Sequence, residues 1–131
     1  MTNHFARYGG RWPVHCVKES VGAAFHPTLE LPAATIVISK GEAADQPGYS
    51  VFEGQTRNGR TFLADLLMRG VTHLEVGGLA TDYCVRASVL DALSHGLEVT
   101  LLSDAIAGVD MTPGDSERAI AEMRAAGAEY S

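Results

Sequence analysis

Basic residues are scarce in this 131-residue chain: 10 Lys and Arg stand against 16 Asp and Glu, for a formal net charge of −6. Nucleic acid and anionic membrane surfaces both reward clustered Lys and Arg, so neither is expected as a main partner, and a small neutral or weakly charged ligand is. There are only 2 cysteines, Cys16 and Cys84. That excludes a disulfide-dense secreted scaffold and reads as two free thiols in a reducing compartment. No apolar run approaches the roughly 20 residues that span a bilayer. The opening MTNHFARYGG lacks the apolar segment of a signal peptide, so the expectation is a cytoplasmic protein. With 46% hydrophobic and 20% charged residues, the composition is that of one folded domain over residues 1–131.

What the chain does have is an alternation of short β-branched runs with helical stretches. ATIVISK (34–40) reads as a buried strand, and TFLADLLMRG (61–70) as an amphipathic helix closed by Gly70. THLEVGGLA (72–80) is a strand, TDYCVRASVLDALSHG (81–96) a helix capped by Thr81 or Asp82 and ended by Gly96, and LEVTLLSDA (97–105) a strand. PGDSERAIAEMRAAG (113–127) is a helix opened by Asp115 or Ser116 and closed by Gly127, and AEYS begins one more strand. This order predicts an α/β domain: a doubly wound, Rossmann-like parallel sheet with helices on both faces. Residues 1–33 break the rhythm. They are rich in Gly, Pro, His and aromatics without a period of either kind, so they read as one long ordered loop preceding an α/β core at 34–131. Loops longer than about 15 residues within a domain are commonly functional.

Ligands of open parallel sheets bind beyond the carboxyl ends of the strands. Lys40 ends TIVIS, Cys84 falls in the first helical turn after HLEVGGLA, and Asp104 follows VTLLS. The free N–H groups and dipole of a first helical turn favour thiolate over thiol, and a neighbouring Lys ammonium adds to this. The same N–H groups could hold the oxyanion of a tetrahedral intermediate. The plainer readings remain open: Cys84 as a small buried hydrophobe, Lys40 as a solvated strand-end charge, Asp104 as a turn or capping residue. His73 and His95 lie away from the inferred edge and are given no role. Trp12, Tyr49 and Phe52 can be loop anchors or the walls of a pocket for a flat ring.

The segments RWPVHCVKESVGAAFHP, SKGEAADQPGYSVFEG and EVGGLATDYCVRASVLDALSHGLEVTLLSDAIAGV together carry a resemblance that covers nearly the whole chain in order. They resemble the nicotinamidase/pyrazinamidase branch of the isochorismatase-like cysteine hydrolases. The resemblance implies Cys84 as nucleophile, Lys40 as the lysine that keeps the thiolate poised, and a cis Leu79–Ala80 peptide. It places the oxyanion hole on the N–H groups of Ala80 and Cys84, and Trp12 and Tyr49 along the pyridine ring. It also implies a divalent metal (zinc, iron or manganese), with His15 and His4 matching ligand positions. The implied reaction is hydrolysis of a small-molecule amide, nicotinamide or pyrazinamide, to the carboxylate and ammonia through a Cys84 thioester, within NAD salvage.

The family's catalytic Asp and its Asp-x-His metal pair lie upstream of anything equivalent to residue 1, and Asp45, Asp82 and Asp104 match no base position. The expectation is therefore a chain shortened at its start by roughly 30 residues or more, at least one strand-helix-strand unit including the first strand of the sheet. The metal should be weakly held and turnover poor or absent. Two alternatives stand beside this: a related cysteine hydrolase of an N-carbamoyl compound or ureide, and a non-catalytic remnant. Self-association into a homo-oligomer is left open.

Overall fold

A computed structural model describes residues 4–42, 44 and 46–131. Its elements are, in order, β1 (Ile38–Ser39), β2 (Gln55–Thr56), α1 (Phe62–Met68), β3 (His73–Leu79), α2 (Arg86–Ser94), β4 (Glu98–Ala107), α3 (Asp115–Ala125) and β5 (Glu129–Tyr130). β3, β4 and β5 form a parallel sheet in that spatial order, so each helix between them is a crossover. Successive crossovers in one direction bring their helices side by side. Accordingly, α2 packs on α3 as well as on β4. The α/β class and parallel sheet expected from the alternation are present.

The core follows from the two periodicities. Along β4, Val99 and Leu101 are buried and point to the helical layer, while Thr100 and Leu102 between and beyond them are only half-buried. From the helices, Val89 and Ala92 of α2 and Ala119 and Met123 of α3 close on Leu101, every one of them fully or nearly fully buried. Leu66 of α1, Val85 just before α2, and Leu97 and Ala128 complete this cluster. Among the described residues no helix is long and apolar enough to cross a membrane.

Several sequence expectations need correction. The run 34–40 is not a buried strand: Ile36 and Val37 are exposed, and only Ile38–Ser39 pairs, antiparallel with β2, in a separate two-stranded ribbon. β-branched residues there dictate extended backbone, but no second layer covers them. Neither Thr81 nor Asp82 caps the helical segment expected over 81–96. It starts as a π-helical turn, Thr81–Val85, whose preceding residue Ala80 makes no side-chain cap, and Asp82 turns outward to residues 109 and 110. α3 is opened by Gly114 in a left-handed conformation, because Asp115 accepts from Thr112 N and Ser116 is engaged by Asp110. Residues 4–33 are irregular as expected, with 3-10 turns at Ala6–Tyr8 and Val21–Ala23 and a bridge between Phe5 and Trp12.

α1 is capped by the Thr61 hydroxyl and carries an ion cluster at its buried Asp65. Arg69 Nε and Arg60 Nη1 donate to the Asp65 carboxylate at 2.7 and 2.9 Å. These two hydrogen bonds, Arg69's first, hold the carboxyl below its ordinary range. A folded-state pKa below the unfolded value means that the ionised group stabilises the fold above about pH 4 and loses that contribution as pH falls toward the folded value. Asp65→Asn should therefore lower the melting temperature at neutral pH, and the gap from wild type should hold down to about pH 5 and narrow as pH falls below about 4 in thermal melts. A gap independent of pH would contradict the assignment.

Candidate active site

The centre of the site is built where β3 ends. The Leu79–Ala80 peptide is cis, and the chain then enters the π-helical turn Thr81–Val85 that holds Cys84 and runs on into α2. The Ala80 carbonyl accepts from Tyr83 N at 3.1 Å and Val85 N at 3.0 Å, and thus from the residues on either side of Cys84. Thr81 is buried beneath the turn. Asp82 anchors its outer side by accepting from Val109 N and Asp110 N at 3.0 and 2.9 Å, tying the segment after β4 to the turn.

Lys40 follows the ribbon strand β1 and points at this turn rather than at solvent. Its Nζ donates to Cys84 Sγ at 3.2 Å and to the Gly48 carbonyl at 2.6 Å. Cys84 is half-buried and Cys16 exposed, and both thiols are free, as composition suggested. An ammonium donating to sulfur is a charge-assisted contact of the kind that activates a nucleophile.

On one side of Cys84 lies a cavity of about 300 Å³ with aromatic walls. Trp12 Nε1 donates to Tyr49 OH at 2.8 Å. Tyr83 stands edge-on to Trp12, with ring centroids 4.8 Å apart, and 5.5 Å from Tyr49. His4, His15, Ala80 and Val109 line the same space. Leu79 is not among these walls. It is exposed and borders a second cavity of about 310 Å³ on the other side of Cys84, which Lys40 also lines.

Of the residues singled out in the sequence, Cys84, Lys40, Ala80, Trp12, Tyr49, His4 and His15 thus converge. Asp104 does not: it lies exposed within β4 and borders neither cavity next to Cys84. Asp45 lies outside the described residues. His73 contacts Glu98 and Thr100, and His95 stacks on Phe52, both away from the site. Tyr83 is the wall that sequence reasoning passed over. An aromatic residue immediately before the candidate nucleophile was the available signal, but only the turn geometry aims it into the cavity.

His15 Nδ1 lies 2.6 Å from the Pro13 carbonyl, so Nδ1 carries the proton and Nε2 is left as an acceptor, the tautomer suited to metal ligation. His4 packs on Tyr49 with ring centroids 5.3 Å apart. Among the described residues, however, no group of three or more His, Cys, Asp or Glu side chains is placed to hold an ion. Two imidazoles fall short of the three or four protein ligands that zinc takes. The described residues alone do not fit a metal, and none of the chemistry below is routed through one.

Residues 1–131 match the isochorismatase domain. The chain is 46% identical over 118 residues to the nicotinamidase of Escherichia coli strain K12, an alignment covering 89% of this chain and 55% of that protein. The chain therefore spans little more than half the length of that relative. Among solved structures, a pyrazinamidase of Pyrococcus horikoshii in complex with zinc superposes with a TM-score of 0.86 at 44% identity, covering 99% of this chain and 68% of that one. PnC1 of L. infantum in complex with nicotinate superposes with a TM-score of 0.86 at 36% identity, covering 99% of this chain and 65% of that one.

Two outcomes follow from the geometry. Cys84 should alkylate faster than Cys16 below neutral pH, measured by peptide mapping after iodoacetamide, and equal rates would remove the Lys40 contact as an activating one. Zinc supplied to the chain should be lost on dialysis against a weak chelator. One retained equivalent per chain would mean that ligands beyond His4 and His15 complete a site.

Proposed function

This chain belongs to the isochorismatase family, and from that premise we propose that it acts on nicotinamide and its pyrazine analogue, giving the carboxylate and ammonia through a thioester on Cys84, in NAD salvage. The observation that carries the reading is the 3.2 Å contact from Lys40 Nζ to Cys84 Sγ, the sulfur residue that also lines the aromatic cavity. The flat walls Trp12, Tyr49 and Tyr83 suit a heteroaromatic ring better than an N-carbamoyl compound or a ureide. The nicotinate held by the L. infantum protein supports the same substrate class.

In this reading the ring lies between Trp12 and Tyr49, with its carboxamide carbon over Sγ. The sulfur attacks, the carbon–sulfur bond forms, and the carbonyl electron pair moves onto oxygen. The N–H groups of Ala80 and Cys84 are the donors assigned to that oxygen, as preorganised dipoles aimed at developing charge. Collapse breaks the carbon–nitrogen bond and leaves the thioester, which water hydrolyses to the carboxylate and free thiol. The departing nitrogen needs a proton. Among the described residues no carboxylate is hydrogen-bonded to Cys84 or Lys40, so in this chain the nitrogen takes its proton from water, and the hydroxide left behind is neutralised as the thioester is hydrolysed.

Missing general acid help is worth about 10²–10⁴ in rate. The 131-residue chain should therefore release ammonia from nicotinamide slowly, and Cys84→Ala should release none. Pyridine-3-carbaldehyde should add to Cys84 and quench the fluorescence of Trp12, the chain's 1 tryptophan, even where turnover is slow. Equal ammonia release by Cys84→Ala would overturn the mechanism. Rapid release by the unaltered chain would show that proton transfer does not need a positioned carboxylate. No aldehyde adduct and no turnover would instead favour a non-catalytic module.

A further inference from the structure

The tripeptide Gly48-Tyr49-Ser50 belongs to no strand or helix, yet two contacts of the site hang on it. The Gly48 carbonyl accepts from Lys40 Nζ at 2.6 Å, and the Tyr49 hydroxyl accepts from Trp12 Nε1 at 2.8 Å. One fixes the cation beside the sulfur, and the other fixes the cavity wall. What holds the tripeptide is Glu53, in the 3-10 turn Val51–Glu53. Its Oε2 accepts from Gly48 N at 2.9 Å and its Oε1 from Ser50 N at 3.3 Å.

Those two N–H groups belong to the peptide units on either side of the one whose carbonyl takes Lys40. The carboxylate therefore grips both neighbours of that unit and leaves it no freedom to rotate. The bond to Ser50 N belongs to a reciprocal capping box with the Ser50 hydroxyl, which accepts from Phe52 N, and a capping box needs no more than that to serve the turn. The bond to Gly48 N is additional and reaches toward Lys40. Gly48 is buried, with φ of +66°, and a Cβ on it would meet the Gly41 Cα at 2.4 Å. The residue following Lys40 is thus packed directly against the residue whose carbonyl receives the Lys40 ammonium. The carboxylate itself touches neither Cys84 nor the cavity.

We infer that Glu53 is a positioning residue: by clamping Gly48 and Ser50 it aims the Gly48 carbonyl that directs Lys40 at Cys84, and it sets Tyr49 against Trp12. The inference rests on the Lys40–Cys84 couple proposed above, and its test reads the couple without needing turnover. The Cys84-to-Cys16 alkylation ratio and the emission of Trp12 are measured in wild type, Glu53→Ala, Glu53→Gln and Thr61→Ala, the last removing the distant cap of α1. Loss of a charge-assisted clamp should lower the ratio about tenfold in Glu53→Ala and shift the Trp12 emission. Glu53→Gln, with one acceptor oxygen left, should fall between, and it carries the test where the alanine variant does not fold. Thr61→Ala should lower the melting temperature and leave both readings unchanged. Folded Glu53 variants with the wild-type ratio would overturn the inference while leaving the couple intact. A wild-type ratio near one would overturn the couple, and the inference with it.

Discussion

The contact between Lys40 Nζ and Cys84 Sγ joins two parts of the molecule that share no backbone ladder. Lys40 is delivered by the antiparallel ribbon β1–β2, and Cys84 by the turn after β3 of the parallel sheet. The residues are 44 apart in sequence, so the ribbon must be docked to within a fraction of an ångström before the pair can meet. That demand accounts for the density of local bonding around the ribbon: the Gly41–Gly48 approach, the Glu53 carboxylate, and Val51 N donating to Ser88 Oγ of α2 at 2.9 Å. Hydrogen bonds of this kind contribute little each but narrow the geometry sharply.

Where local pattern and tertiary setting agree, the elements could be read directly from the residues. β3 and β4 are short apolar stretches between glycine-ended helices, and Gly70, Gly96 and Gly127 all take the left-handed conformation at helix ends. Where the two part, the pattern misleads. A run such as Ile36-Val37 specifies extended backbone but says nothing about whether another layer will cover it. Asp82 has the chemistry of a cap, but its carboxylate is claimed by the backbone of Val109 and Asp110, 27 and 28 residues on. No local signal announces such a long-range claim.

The site shows the same division. Cys84 and Lys40 could be set at one edge from their places after strand-like runs, whereas Trp12, Tyr49, His4 and His15 were assigned through the family resemblance, and the structure gathers all six around the same turn. Tyr83, Glu53 and Val109 were not legible, since an aromatic, a carboxylate and an aliphatic residue in those places have many ordinary roles. Only the turn, the clamp and the folded-back segment after β4 give them particular ones. Conversely, Asp104 follows a strand-like run in the sequence but lies within a longer strand in space, and a shift of a few residues in where a strand ends removes it from the edge altogether.

The buried cluster draws its members from residues 66 to 128, whereas among the described residues before Gly48 only Phe5 is buried. The sulfur thus sits at the margin of the well-packed half, and of the cavity walls His4, Trp12 and His15 come from the half with almost no core of its own, while Ala80, Tyr83 and Val109 come from the other. Segments that bury little apolar surface separate from the rest at a fraction of the global unfolding free energy. The wall around Trp12 therefore rests less on packing of its own than on the hydrogen bond it makes to Tyr49 and the ring contact it makes with Tyr83.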